Sequence, residues 1–470
     1  MNRHTLTYIC TAVALAALSG CSLAPDYQRP AAPVPTAYQA TGALSNSTPE
    51  SDLRWQQLYS EPHLQRLIAL ALKYNRDLIV ATLHVESARA QYQIQRSDLL
   101  PTLNATAGAS IQRAPADLAV PSEPQVTHSY SVGGTVASYE LDLFGRIHSL
   151  SVGALESWLA TDAARKAAQI TLVSEVVNAW LTLQADLQLK DLATRTLTSQ
   201  QDSHKIVDAQ YRAGTATTLD LVQADSQLHA AEVSVASAER AIRQDKNAIA
   251  LLLGTSPPAD CLTAVDPKSL RLNDDISPGA PSDLLTRRPD IVEAEHQLKS
   301  ANANIGAARA AFFPRITLTA SGGTASAALS NLFDAGSGAW SFGPSISVPI
   351  FDYERNRASL DVAKVTKHIE VANYEKAIQS AFRDVSDALD ARETWARQEI
   401  AQRQLVDANT RAYTLAMERY TKGVDDYLNV LVSQRALFDS QQSLIKLELA
   451  REQNAVSLYR ALGGGWDSVG

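Results

Sequence analysis

"YRAGTATTLDLVQADSQL", residues 211–228, meets a second version of itself in "YTKGVDDYLNVLVSQRAL", residues 420–437. An offset of 209 pairs Tyr211 with Tyr420, Gly214 with Gly423, Leu219 with Leu428, Leu228 with Leu437 and Gly254 with Gly463. Earlier in each half an offset of 213 pairs Asp77 with Asp290, Ala88 with Ala301, Arg96 with Arg309, Pro101 with Pro314 and Thr106 with Thr319. Self-similarity at a fixed offset marks a duplicated unit. A tyrosine, a glycine three residues on and then a leucine-rich run read as a turn between two helices, because glycine accepts backbone angles that other residues resist.

The stretches on either side of each turn are long and helix-forming. From Gly145 to Tyr211 there is no proline and, apart from Gly153, no further glycine. This predicts about 65 helical residues, or roughly 100 Å at 1.5 Å per residue; the stretch from about Tyr353 to Tyr420 matches it. After the turns, Thr217 or Thr218 and Asp425 or Asp426 are placed to cap the returning helices. Leu221, Leu228, Val235, Ile242 and Ile249 recur every seven residues, with Ala224, Ala231 and Ala238 also at heptad spacing, a coiled-coil pattern. The other helices fall at 62–100 and 286–312, ended by Pro101 and Pro314.

Four segments alternate instead with period two. Leu103, Ala105, Ala107, Ala109 and Ile111 share one face, and Thr102, Asn104, Thr106 and Ser110 the other. Trp340, Phe342, Ile346, Val348 and Ile350 alternate likewise with Ser341, Ser345 and Ser347. With strands at 101–113, 128–141, 315–325 and 339–350, each half carries one hairpin whose alternation suits an outer-membrane strand. Four strands cannot close a barrel, and an open edge does not exist in lipid, so the sequence requires self-association. Tyr130, Tyr139, Trp340, Phe342 and Phe351 are the candidate interfacial aromatics.

The N-terminus "MNRHTLTYICTAVALAALSGCS" has basic residues, a short apolar run and small residues before Cys21, as a secretory signal does. "LSGC" resembles the bacterial lipobox, which implies lipid on Cys21; with Ser22 where an aspartate marks retention, it also implies sorting to the outer membrane. The proline-rich "APDYQRPAAPVPTAY", residues 24–38, reads as an extended tether. The domain reading is therefore a signal peptide over 1–20, a lipidated tether over 21–60, a first repeat over 61–264 whose hairpin covers 145–253, a linker over 265–285, a second repeat over 286–464 whose hairpin covers 353–463, and a tail over 465–470.

Composition excludes other classes. A net charge of −8 with intermixed signs lacks the basic footprint of a nucleic-acid binder. No HExxH, cysteine pair, GxSxG elbow or phosphate-binding glycine loop occurs. The expectation is neither enzyme nor metal protein, with no cofactor beyond the covalent lipid on Cys21. The carboxylates of "DVSDALD", 384–390, read as a solvated helix face.

Taken with "LSGCSLAPDYQRP", "LLTRRPDI" at 284–291, "AARAAFFPRITLTASGG" at 307–323 and "YEKAIQSAFRDVSDAL" at 374–389, the two turns make the chain resemble the TolC-like outer membrane factors, in their lipoprotein branch serving multidrug efflux. The resemblance implies a mainly α protein with a β membrane domain: a homotrimer whose four strands per chain complete a twelve-stranded barrel in outer membrane lipid above a periplasmic α-barrel. It implies a periplasmic adaptor and an inner-membrane pump as partners. The repeated turns, with Tyr211, Gly214, Gly423, Asp425 and Asp426, become the adaptor-docking tip. Asp220 and Tyr420 fall at the positions of the family's closing links. The family's basic residue and acidic ring are replaced here by Asp425, Asn429 and Val432, so that Leu428 and Val432 make an apolar constriction if they face the lumen, or ordinary packing residues if they do not. A non-pore coiled-coil lipoprotein and a type I secretion channel are the rival readings.

Overall fold

The structure, a computed structural model, describes residues 22–38, 55–115, 124–266 and 281–464. The signal peptide, Cys21 and the 465–470 tail lie outside the described residues. In chain order the elements are α1 (Trp55–Leu58), α2 (Pro62–Tyr74), α3 (Arg76–Ser97), β1 (Leu103–Arg113), β2 (Val126–Leu141), α4 (Arg146–Arg212), α5 (Thr218–Leu253), α6 (Leu284–Arg287), α7 (Pro289–Ala310), β3 (Arg315–Ser326), β4 (Gly338–Ser347), α8 (Arg355–Thr421) and α9 (Tyr427–Ala461). Both α4 and α8 have 67 residues. No helix among the described residues is long and apolar enough to cross a membrane.

Two helices differ from the sequence expectation. The single helix over 62–100 breaks at Asn75, whose backbone is extended (φ −60°, ψ 129°). Its side chain accepts from the Leu78 N–H at 2.9 Å and donates to the Leu252 carbonyl at 2.8 Å, so a tertiary contact holds a local cap. The helix over 286–312 starts instead at Pro289, after an extended Arg288. Proline disfavours helix at the preceding residue and suits the first helical position. The last strand stops at Ser347, before Pro349, which has no N–H to give a ladder.

The chain divides into two compact units, Met1–Ala31 with His84–Thr161 and Glu293–Tyr374, and Ala32–Leu83 with Asp162–Val292 and Glu375–Gly470. Each takes segments from both repeats.

The first unit holds one antiparallel sheet in the order β1-β2-β3-β4. Its register sorts side chains by polarity. Leu103 pairs with Val136, Ala107 with Val132 and Ala109 with Tyr130; Val136 pairs with Ala320; Ala320 pairs with Phe342 and Ile316 with Ile346. On the alternate positions Ser110 pairs with Ser129, Thr135 with Ser321 and Thr317 with Ser345. Directly opposed residues share a face, so one face is apolar and the other polar across all four strands. A bulge between Val136 and Tyr139 keeps Tyr139 with Leu318 and Leu141 with Ile316 on the apolar side. Among the described residues that face is left exposed: Trp340 is 82% and Leu103 74% exposed.

The same unit holds an N-terminal strap. Leu23 O accepts from Arg309 at 3.0 Å, Pro25 O from Asn302 at 2.7 Å, and Glu295 receives Tyr27 at 3.2 Å and both arms of Arg29 at 3.1 and 2.7 Å. The strap therefore runs antiparallel to α7, with its early end beside the turn that enters β3. Gly306 makes room for it, since a Cβ there would stand 2.7 Å from the Ala24 nitrogen.

In the second unit Trp180, Tyr59, Leu64, Leu67, Ile68, Leu183, Ile249, Leu253 and Leu458 are fully buried. Burying each aliphatic side chain contributes about 1.5–3 kcal/mol. The "RRPDI" motif has a structural task here. Arg288 grips Asp290 at 2.5 and 3.0 Å, the Ala461 carbonyl at 3.0 Å and Asp384 at 3.5 Å. Asp384 is thus a buttress of the α9 terminus, where the sequence suggested only a solvated face.

Candidate functional site

The paired turns are the duplicated feature with the most specific geometry. Gly214 and Gly423 sit at φ 75° and 70°. A Cβ at either would touch nothing within 4 Å, so the demand for glycine is conformational, and another residue would cost about 1–2 kcal/mol. The backbone bonding is the same in both: Gly214 N–H to Tyr211 O at 3.0 Å and Thr215 N–H to Gln210 O at 2.9 Å, against Gly423 N–H to Tyr420 O and Val424 N–H to Arg419 O, both 2.9 Å.

The side chains are wired differently. Thr217 caps α5 in a reciprocal box: Asp220 N–H donates to its hydroxyl at 3.2 Å, while Asp220 Oδ2 receives the Thr217 N–H at 2.9 Å and hydroxyl at 2.7 Å. In the second turn Asp426 is the N-cap of α9 without a side-chain bond. There Arg419 grips Asp425 with two bonds, at 2.6 and 2.9 Å, and holds its carboxyl below the usual carboxylate range.

Tyr420 and Asp220, the positions of the family's closing links, are not hydrogen-bonded to each other within the chain. The Tyr420 hydroxyl donates to Gln210 Oε1 at 2.5 Å, while Asp220 Oδ2 serves its own cap. Burial pushes the Tyr420 phenol up, with the Gln210 bond opposing and Asp220 adding to the rise; the hydroxyl stays protonated and able to donate. Gln210 and Arg419 were missed by sequence reasoning. The 209 offset relates these two residues and was the signal that could have found them.

Beneath the turns, Val207, Ala224, Ala416, Tyr427, Val430 and Leu431 form a buried cluster joining both hairpins, with Leu221, Tyr413, Met417 and Tyr420 against it. Tyr427 lies 5.2 Å from the Tyr420 ring, and burial pushes its phenol up to about 12. Leu428 and Val432, 56% and 60% exposed, lie outside this cluster. Tyr211, the repeat partner of Tyr420, is 41% exposed.

A sheet apolar on one face and polar on the other, joined in one chain to two helical hairpins of matching length, defines the class: an outer membrane channel. The chain belongs to the outer membrane efflux protein family, whose model matches twice, over residues 67–255 and 280–464. It is similar to the antibiotic efflux pump outer membrane protein ArpC of Pseudomonas putida, 46% identical over 98% of this chain and 96% of that protein. Among solved structures it is similar to a membrane protein from Pseudomonas aeruginosa, with TM-score 0.91 and 44% identity over 96% of this chain and 99% of that one. The open state of the Neisseria gonorrhoeae MtrE outer membrane channel matches with TM-score 0.86 and 38% identity over 95% of this chain and 99% of that one. An outer membrane efflux channel is accordingly what this chain forms.

Proposed function

We propose that three copies of this chain form the passive exit duct of a tripartite pump for drugs or other small molecules. The carrying observation is the four-stranded sheet. Its two faces differ in polarity, and β1 and β4 leave edges unpaired, which lipid does not tolerate. Three sheets of four strands give a closed barrel of twelve, above the smallest transmembrane barrels of about eight. The polar face then lines a lumen.

The paired turns are the periplasmic tip. Tyr211, Gly214, Gly423, Asp425 and Asp426 form the surface for the periplasmic adaptor, through which the inner-membrane pump delivers its cargo. Tyr420, through Gln210, ties the second hairpin to the first in the resting state, with Leu428 and Val432 as the apolar surface that meets its symmetry mates; Asp220 serves the gate only by capping α5. The strap supports lipid on Cys21, because Leu23 is held at Arg309, near the start of β3 at Arg315, where a chain anchored in the bilayer would enter it.

Native mass measurement of the detergent-purified protein tests this reading. Three chains with acylated Cys21 are expected. A stable monomer with all four strands formed would overturn the barrel, and an unmodified cysteine at the mature N-terminus would overturn the anchor.

A further inference from the structure

The sequence offers no metal-ligand spacing, yet the fold brings His63 beside the adjacent pair Asp260 and Cys261 from far along the chain. His63 lies in the first turn of α2, and Asp260 and Cys261 lie in the 3-10 turn Ala259–Leu262 that follows α5. One ligand atom from each residue lies within 4.8 Å of the other two. We propose that His63, Asp260 and Cys261 form a binding site for a divalent late first-row metal ion, with zinc the ion their donor set suits.

Both backbones are fixed in advance. Glu61 caps α2 by accepting from Leu64 N–H at 2.7 Å. The 3-10 turn is pinned by Trp180, whose indole N–H donates to Cys261 O at 3.2 Å, and by the Thr263 hydroxyl on Asp260 O at 2.8 Å. Arg66 occupies one carboxylate oxygen of Asp260 at 3.0 Å, which leaves Oδ1 turned to the Cys261 sulfur at 3.9 Å. Imidazole nitrogen, thiolate and carboxylate are zinc's donors, with bonds of about 2.0–2.3 Å and tetrahedral ligands therefore roughly 3.3–3.8 Å apart. Rotamer adjustments of about an ångström close the site from the observed separations. Cys261 is 1% exposed at the floor, His63 is half-buried and Asp260 exposed, so an ion enters past the outer two and keeps one water in the fourth position.

Binding replaces the thiol proton: the S–H bond breaks, a sulfur–metal bond forms and one proton leaves to solvent. Affinity therefore rises with pH, because the ion displaces that proton. The bound ion would clip the start of α2 to the turn leaving α5.

The test is a cobalt titration of the chelator-stripped, detergent-purified full protein, followed by displacement with zinc. One cobalt per chain with a thiolate-to-cobalt charge-transfer band is expected, together with a zinc-dependent rise in unfolding temperature. The band should vanish in Cys261→Ser, and affinity should fall about tenfold or more in His63→Ala and Asp260→Asn; these two outer ligands keep the test valid if the buried variant fails to fold. Absence of the band in the wild type, or equal titrations in wild type and all foldable variants, would overturn the site.

Discussion

The two tyrosine-glycine turns share a backbone and differ in what holds them. The first is self-sufficient: Thr217 and Asp220 close its cap, and Tyr211 faces outward. The second has no side-chain cap on α9 and places its own tyrosine against the other hairpin, on Gln210. The same turn backbone thus stands in two side-chain settings, one closed by its own cap and one leaning on the other hairpin.

The largest way to break this asymmetry is through the shared cluster. Tyr427→Ala removes a side chain only 4% exposed and is expected to cost about 3–5 kcal/mol. Hydrogen exchange should then quicken across the start of α9 and the end of α8 more than across α5.

A second contrast lies higher in the hairpins. Burial, followed by the neighbouring Asp186 charge, pushes Asp245 up to about 7, while the 209 offset puts Trp395 and Asn454 at the matching places. Between the ordinary aspartate value of about 4 and that raised value, the folded state binds more protons than the unfolded one. Stability of the first hairpin should therefore fall as pH rises from about 4 to about 7, and Asp245→Asn should flatten the slope in thermal unfolding. An unchanged slope in the variant would rule out the acid pair as its source.

The smallest effect separates the caps. Thr217→Ala should cost about 1 kcal/mol, read as fraying of α5 by hydrogen exchange. Asp426→Ala should cost less, since its side chain makes no capping bond. Equal fraying would mean that the two caps are equivalent after all.

What the sequence made legible was periodic. The heptads of α5 appear as buried Ala224, Ala231, Ile242 and Ile249, and the alternation of β1 and β4 as the two faces of the sheet. The turns were legible because positive φ selects glycine. What stayed hidden depends on contacts between distant segments. Asn75 breaks a helix because Leu252 lies beside it, and no local propensity announces that. The Val136–Tyr139 bulge resets the register without any turn residue. Tyr420 could be matched to an acidic partner by resemblance, whereas its bond within the chain runs to Gln210, a residue the resemblance does not mark. The His63, Asp260 and Cys261 cluster crosses nearly the whole first repeat.

If this protein is a pore whose resting end is held by Tyr420 on Gln210, single-channel recording in planar bilayers will show it, with purified wild type, Tyr420→Phe and Asp220→Ala compared. One half-buried neutral hydrogen bond contributes about 1 kcal/mol, roughly a fivefold bias per chain and on the order of a hundredfold for three chains moving together. Discrete low-conductance pores are expected in the wild type, a large rise in Tyr420→Phe and little change in Asp220→Ala. Pores from none of the three proteins, or Tyr420→Phe conducting like the wild type, would contradict it.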